Sequence, residues 1–182
     1  GNRLGALIAT GATTTRVPAR SGRQHEQTLL RTIATMPKAP TGVRGDLAGA
    51  IDALRRPERR RGMAVIISDF LGPINWVRPL RAIAARHEVL AIEVLDPRDV
   101  ELPDVGDVVL QDAETGATRE FTVDSQLRND FARAAAAHRA EVARTVRSCG
   151  APLLALRTDR DWLADIVRFV EHRRRGTLAG RQ

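Results

Sequence analysis

The run Met63-Ala64-Val65-Ile66-Ile67, ending in Ser68-Asp69, constrains this chain more than any other stretch. An unbroken apolar pentapeptide bounded by polar residues predicts a parallel strand buried on both faces. Parallel strands cannot be joined by tight turns, so helices must carry the chain back between them. The flanking sequence supplies one. Asn75 is placed to cap a helix running to about Arg86, and Pro79 is tolerated in its first turn. Val89–Leu95 (VLAIEVL) then repeats the buried-strand pattern.

The alternation extends in both directions. Arg3–Thr10 and Thr13–Val17 flank Gly11-Ala12 and predict a hairpin. Gly22–Met36 predicts a helix, with Leu29, Leu30, Ile33 and Met36 at helical spacing. Pro37 and Pro40 break it, Lys38–Arg44 forms a loop, and Asp46 caps a second helix to about Arg56. Helical periodicity vanishes between about residues 97 and 124. There Val108–Gln111 and Thr118–Val123 flank Glu114-Thr115-Gly116 and predict a hairpin excursion. Ser125–Ser148 reads as a long helix with Leu127, Phe131, Ala135, His138, Val142 and Val146 on one stripe. Leu153–Leu156 predicts a strand, and Thr158 with Asp161 has capping-box spacing before a last helix carrying Trp162 and Ile166. The expectation is a single α/β domain over residues 1–182 with a mostly parallel sheet flanked by helices.

Composition narrows the function classes. The chain carries 29 Lys+Arg against 22 Asp+Glu, a net charge of +7, which favours acidic partners. Aromatics are only 3%, too few for a single-strand stacking platform, and no nucleic-acid module is recognisable. The clusters Arg55–Arg61 and His172–Arg175 therefore read first as solvated helix ends, next as contacts for an acidic protein, and last as a nucleic-acid surface. No apolar run approaches the roughly 18–20 residues that span a bilayer, so membrane insertion is not expected. The single cysteine, Cys149, allows no internal disulfide and points to a reducing, cytoplasmic setting. Its position on the Val142 stripe predicts burial.

Ligands of open α/β sheets gather beyond the carboxyl ends of the strands. Asp69, Asp96 and Asp159 each follow an apolar strand there, and Asp46 leads a helix that can reach the same rim. Converging carboxylates suit a hard cation such as Mg²⁺. Helix caps and turns are the plainer use of the same residues, especially for Asp96 before Pro97 and Asp159 after Thr158. Asp69 fits that use least well. The tripeptide Arg44-Gly45-Asp46 is too short to carry an adhesion function by itself.

Several segments together resemble the bacterial family called domain of unknown function 58. They are Val65–Phe70 (VIISDF), Arg44–Leu54 (RGDLAGAIDAL), Ala84–Arg98 (AARHEVLAIEVLDPR), Asp99–Gly106 (DVELPDVG) and Thr158–Val170 (TDRDWLADIVRFV). That family is similar to von Willebrand factor A domains, and its members often accompany MoxR-type AAA+ ATPases that act in protein assembly or maturation. The resemblance implies a Rossmann-like sheet and a metal-ion-dependent adhesion site whose last coordination position is filled by a partner carboxylate. Asp69 matches the family's strand-end aspartate, with Ser68 and Asp46 beside it. The loop threonine falls at Gly45, which has no hydroxyl, while Thr41 lies nearby but out of register. No Asp-x-Ser-x-Ser occurs anywhere, so the site is degenerate and Mg²⁺ binding should be poor.

The resemblance further implies that the family's first strand and first helix would lie upstream of Gly1. That strand would sit between Arg3–Thr10 and Met63–Ile67. Either those two strands pair directly, or a second chain fills the gap by swapping or edge pairing, giving a homodimer. The resulting expectation is a non-catalytic interaction domain that acts with a MoxR-type ATPase or another acidic protein. Two other classes stay open: a Mg²⁺-dependent phosphoryl-transfer or nuclease enzyme using Asp46, Asp69 and Asp159, and a basic nucleic-acid-binding module. His25, His87 and His172 have no metal-ligand spacing, and no nucleophile elbow or P-loop occurs.

Overall fold

A computed structural model describes residues 2–40, 42–55, 61–111 and 118–179. The chain opens with β1 (Leu4–Ala9), β2 (Thr14–Arg20), α1 (Arg23–Ala34) and α2 (Leu47–Arg55). Next come β3 (Met63–Ser68), α3 (Val77–Ala84) and β4 (Glu88–Leu95). A hairpin of β5 (Gly106–Gln111) and β6 (Thr118–Val123) leads into α4 (Ser125–Ser148), β7 (Leu153–Arg157) and α5 (Trp162–Ala179). The expected hairpin excursion is present, while its Glu114-Thr115-Gly116 turn lies outside the described residues.

β4 lies between β3 and β7, and all three run parallel. Lateral neighbours share a face, so Ala64, Ile66, Val89, Ala91 and Leu153 line one side of the sheet. Ile51 of α2, Leu80 and Ile83 of α3, and Val142 and Val146 of α4 are buried against that side. Phe70 and Trp76 belong to the same core, their rings edge to face with centroids 5.3 Å apart. The Trp76 indole nitrogen is buried there without a hydrogen-bond partner. Cys149 is buried as its spacing predicts.

The opposite face is covered only in part. α5 packs on β7, and its Arg173 pairs with Glu88 at 2.7 Å. Glu88 is the lateral neighbour of Met63, so α5 stands on the face that carries Met63, Val65 and Ile67. Those three are nonetheless 55%, 43% and 65% exposed. Burial of the MAVII strand on both faces is thus corrected. Among the described residues β3 pairs with β4 alone, and its buried side chains lie on a single face.

β1 and β2 form a separate antiparallel hairpin that rests on α2, where Arg16 donates to the Ala53 carbonyl. Gly11 makes its turn possible. At φ +83° a Cβ there would lie 2.5 Å from the Arg44 carbonyl oxygen. Among the described residues β1 and β3 belong to different sheets, so of the two alternatives for these strands direct pairing does not occur. The parallel sheet is accordingly three-stranded rather than spanning most of the fold's strands.

Two helix starts differ from expectation. α3 has Trp76 at its N-cap position with no capping side chain, and Asn75 lies in the preceding turn with its N–H bonded to the Pro73 carbonyl. Burial of Trp76 fixes that start in place of a polar cap. At α5 the cap is Asp161, which accepts from the Ala164 N–H at 3.0 Å. Thr158 instead donates its N–H to the Leu95 carbonyl, beside the β4–β7 ladder.

Leu80 and Leu30 give a matched test of this core, since Leu80 is 1% and Leu30 65% exposed. Urea unfolding of Leu80→Ala should show a loss of about 2–5 kcal/mol. Leu30→Ala should stay within about 0.5 kcal/mol of the parent.

Candidate functional site

The carboxyl end of β3 turns sharply into the core. Phe70 sits at φ +54°, the single described non-glycine residue in the left-handed region. Three contacts hold it. Its N–H donates to Ser68 Oγ at 3.2 Å, its carbonyl accepts from His138 Nε2 at 3.0 Å, and its ring abuts Trp76. His138 is therefore a bonded histidine on the α4 stripe, and it ties that helix to the strand-end loop. Asp69, exposed beside it, accepts from the Leu71 N–H at 3.2 Å. Ser68 Oγ is 3.5 Å from the same Asp69 Oδ1.

The other acids of the rim are engaged locally. Asp46 accepts from the Gly49 N–H at 2.9 Å, which caps α2. Asp96 accepts from the Arg98 N–H at 2.9 Å in a short 3-10 turn, Pro97–Asp99. Asp159 takes two hydrogen bonds from Arg157, both at 2.9 Å, and these hold its carboxyl below the usual range. Ser68 and Asp69 stand together because they are adjacent in the chain. Among the described residues, no three His, Cys, Asp or Glu side chains are grouped so that they could hold a metal ion. Gly45 faces open space and offers no oxygen from a side chain, and Thr41 lies outside the described residues.

A further charged residue was not anticipated. Glu93 of β4 is 3% exposed, the one buried charged side chain among the described residues. It lies laterally between Ser68 of β3 and Ala155 of β7. Burial pushes its carboxyl up from the ordinary value, while the positive charges of Arg139 and then His138 pull it back. One signal in the sequence could have revealed it. In VLAIEVL the lone acid falls on the same period-two face as Val89 and Ala91. The site thus combines an exposed Asp69, a strained loop and a buried carboxyl one strand away.

Comparison with family models gives a family and no activity. A family model described as "Protein of unknown function DUF58" matches residues 1–141. An uncharacterized protein of Mycobacterium tuberculosis is 85% identical over all of this chain, which spans 57% of that relative's length. An uncharacterized protein of Mycobacterium avium is 87% identical over 168 residues, covering 92% of this chain and 99% of that protein. Among solved structures, the conserved hypothetical protein BatB from Bacteroides thetaiotaomicron aligns with a TM-score of 0.47 and 14% identity. That alignment covers 96% of this chain and 80% of the BatB chain.

Glu93 gives a pH signature. The folded state keeps its proton to higher pH than the unfolded chain, whose ordinary value is 4.5. Its contribution is full below that value and is lost as pH rises through the raised folded pKa. Denaturation measured from pH 4 upward should show this fall in the parent chain. In Glu93→Gln the fall should be absent and stability near neutrality should be higher.

Proposed function

The chain belongs to the family of proteins of unknown function DUF58, and from that premise we propose that it is a non-catalytic protein-interaction domain. Its docking rim is the Ser68–Leu71 end of β3, a degenerate counterpart of a von Willebrand A-type adhesion site. Its partner is a MoxR-type AAA+ ATPase or another acidic protein of the cytoplasm, and its role is in protein assembly or maturation.

One observation carries this reading. Asp46, Asp69 and Asp159 are all exposed and each is engaged with a neighbouring backbone or guanidinium group, Asp69 from the clamped loop at the end of β3. Acids used in this way shape a surface and leave little to assemble a reaction centre. The arginine-rich surface suits an acidic partner. Among the described residues, no helix is long and apolar enough to cross a membrane.

The donor set in this chain does not fit Mg²⁺. That ion demands near-octahedral oxygen coordination, and among the described residues no three His, Cys, Asp or Glu side chains are grouped to supply it. Asp69 already accepts from Leu71, Asp46 from Gly49, and Gly45 contributes no side chain. Calorimetric titration should therefore return a Kd weaker than about 1 mM.

The reading is tested by capture of a purified MoxR-type ATPase from the same bacterium on immobilised chain. Binding should be saturable and should fall at least about tenfold in Asp69→Lys. Equal capture by the parent and the variant removes the rim from the account. Metal-dependent turnover of a phosphate ester, abolished in Asp69→Asn, overturns the non-catalytic reading.

A further inference from the structure

We propose that the outer surface of α3 and the C-terminal half of α4 form a docking face for an acidic helical segment of a protein partner. This face lies toward the amino edge of the parallel sheet, away from the Ser68–Leu71 rim. The inference goes beyond the rim reading and stands without it.

The topology sets arginines of two helices side by side. α3 leads directly into β4 and α4 into β7, and those strands are parallel neighbours, so the helices run in one direction and end together. Contacts between them fix the register. Arg81 of α3 reaches Ser148 Oγ at 3.5 Å, and Cys149 Sγ lies 3.8 Å from the Val77 carbonyl. Arg78 precedes Arg81 by three residues, and Arg144 precedes Ser148 by four, which places both one turn back on the same faces. Arg78, Arg81 and Arg144 are exposed, as are Arg86 and Arg147 at the helix ends. Residues 75–87 contain no acid, and residues 141–150 contain Glu141 alone.

Helix energetics oppose this arrangement. Arg78 stands in the first turn of α3, where the positive end of the helix dipole disfavours a cation, and no acid in that turn offsets it. Arg78 with Arg81, and Arg144 with Arg147, are like-charge neighbours three residues apart. Among the described residues none of the five arginines is ion-paired. Earlier in α4, by contrast, Arg128 pairs with Asp104 and Arg133 with Asp130. Charge left uncompensated at a cost to the helices marks a surface completed by a ligand that brings its own carboxylates.

Spacing and composition select that ligand. Carboxylates three or four residues apart on a helix repeat at the interval of these arginines, and each guanidinium can hold one in a bidentate pair. Trp76 is the one Phe, Trp or Tyr in the two segments, and its burial leaves no exposed ring on which a nucleic-acid base could stack.

A fluorescent peptide of repeated Glu-Ala-Ala units should bind saturably at low salt with a Kd below about 100 μM. Arg78→Glu/Arg144→Glu should weaken it at least about tenfold. The same charge change on α1, Arg23→Glu/Arg31→Glu, should stay within about twofold of the parent. The urea midpoint of Arg78→Glu should not fall, because an acid suits that first turn, so lost binding is not lost folding. Absence of binding, or an equal loss in the α1 variant, overturns the proposal. So does tighter binding, at the same salt, of a single-stranded oligonucleotide or of a phosphatidylserine vesicle. Asp69→Lys should bind the peptide as the parent does, and each of those failures leaves the rim reading intact.

Discussion

Burial of one sheet face beneath α2, α3 and α4 is the constraint on which the other features depend. Ala64, Ile66, Val89 and Ala91 present a smooth apolar floor, and Leu80, Ile83, Val142 and Val146 fill it. Small alanines on the strands let the helices approach closely, and packing rather than polar contact holds them there. Because α3 and α4 are fixed in this way, His138 is brought to the Phe70 carbonyl. The strand-end loop, with Asp69 at its tip, is positioned by that bond and by the Phe70–Trp76 pair. The rim is therefore a product of the core.

The backbone conformation of Phe70 illustrates the coupling. A left-handed phenylalanine costs on the order of 1 kcal/mol or more, and it persists only where its surroundings over-determine it. Here the ring is 1% exposed, the carbonyl is bonded across to α4, and the amide is satisfied by Ser68. Rigidity at that point fixes where Asp69 stands. A preorganised carboxylate loses less entropy on docking than one carried on a mobile loop.

Much of this architecture was legible in the residues, and the exceptions have physical causes. MAVIIS and VLAIEVL declared parallel strands, and the α4 stripe declared a helix whose Val142 and Val146 are in the core. The burial of β3 was misread because a continuous apolar run shows that a strand can be buried, not that it has a neighbour on each side. The cap of α3 was misread for a related reason. Asn75 has the chemistry of a cap, but burial of Trp76 decides where the helix starts. Of the candidate site, Ser68 and Asp69 could be placed because the strand they end was certain. Glu93 passed unnoticed because its raised pKa depends on which face of β4 α4 covers, a tertiary fact.

The two tryptophans occupy opposite environments in a chain that contains no tyrosine. Trp76 is 1% exposed in the core, while Trp162 at the start of α5 is 54% exposed. Ultraviolet emission of this protein is thus the sum of one sheltered and one wet indole. A water-soluble quencher such as iodide reaches the second and spares the first. The molecule carries its own two-channel optical label, one channel for the interior and one for the α5 surface.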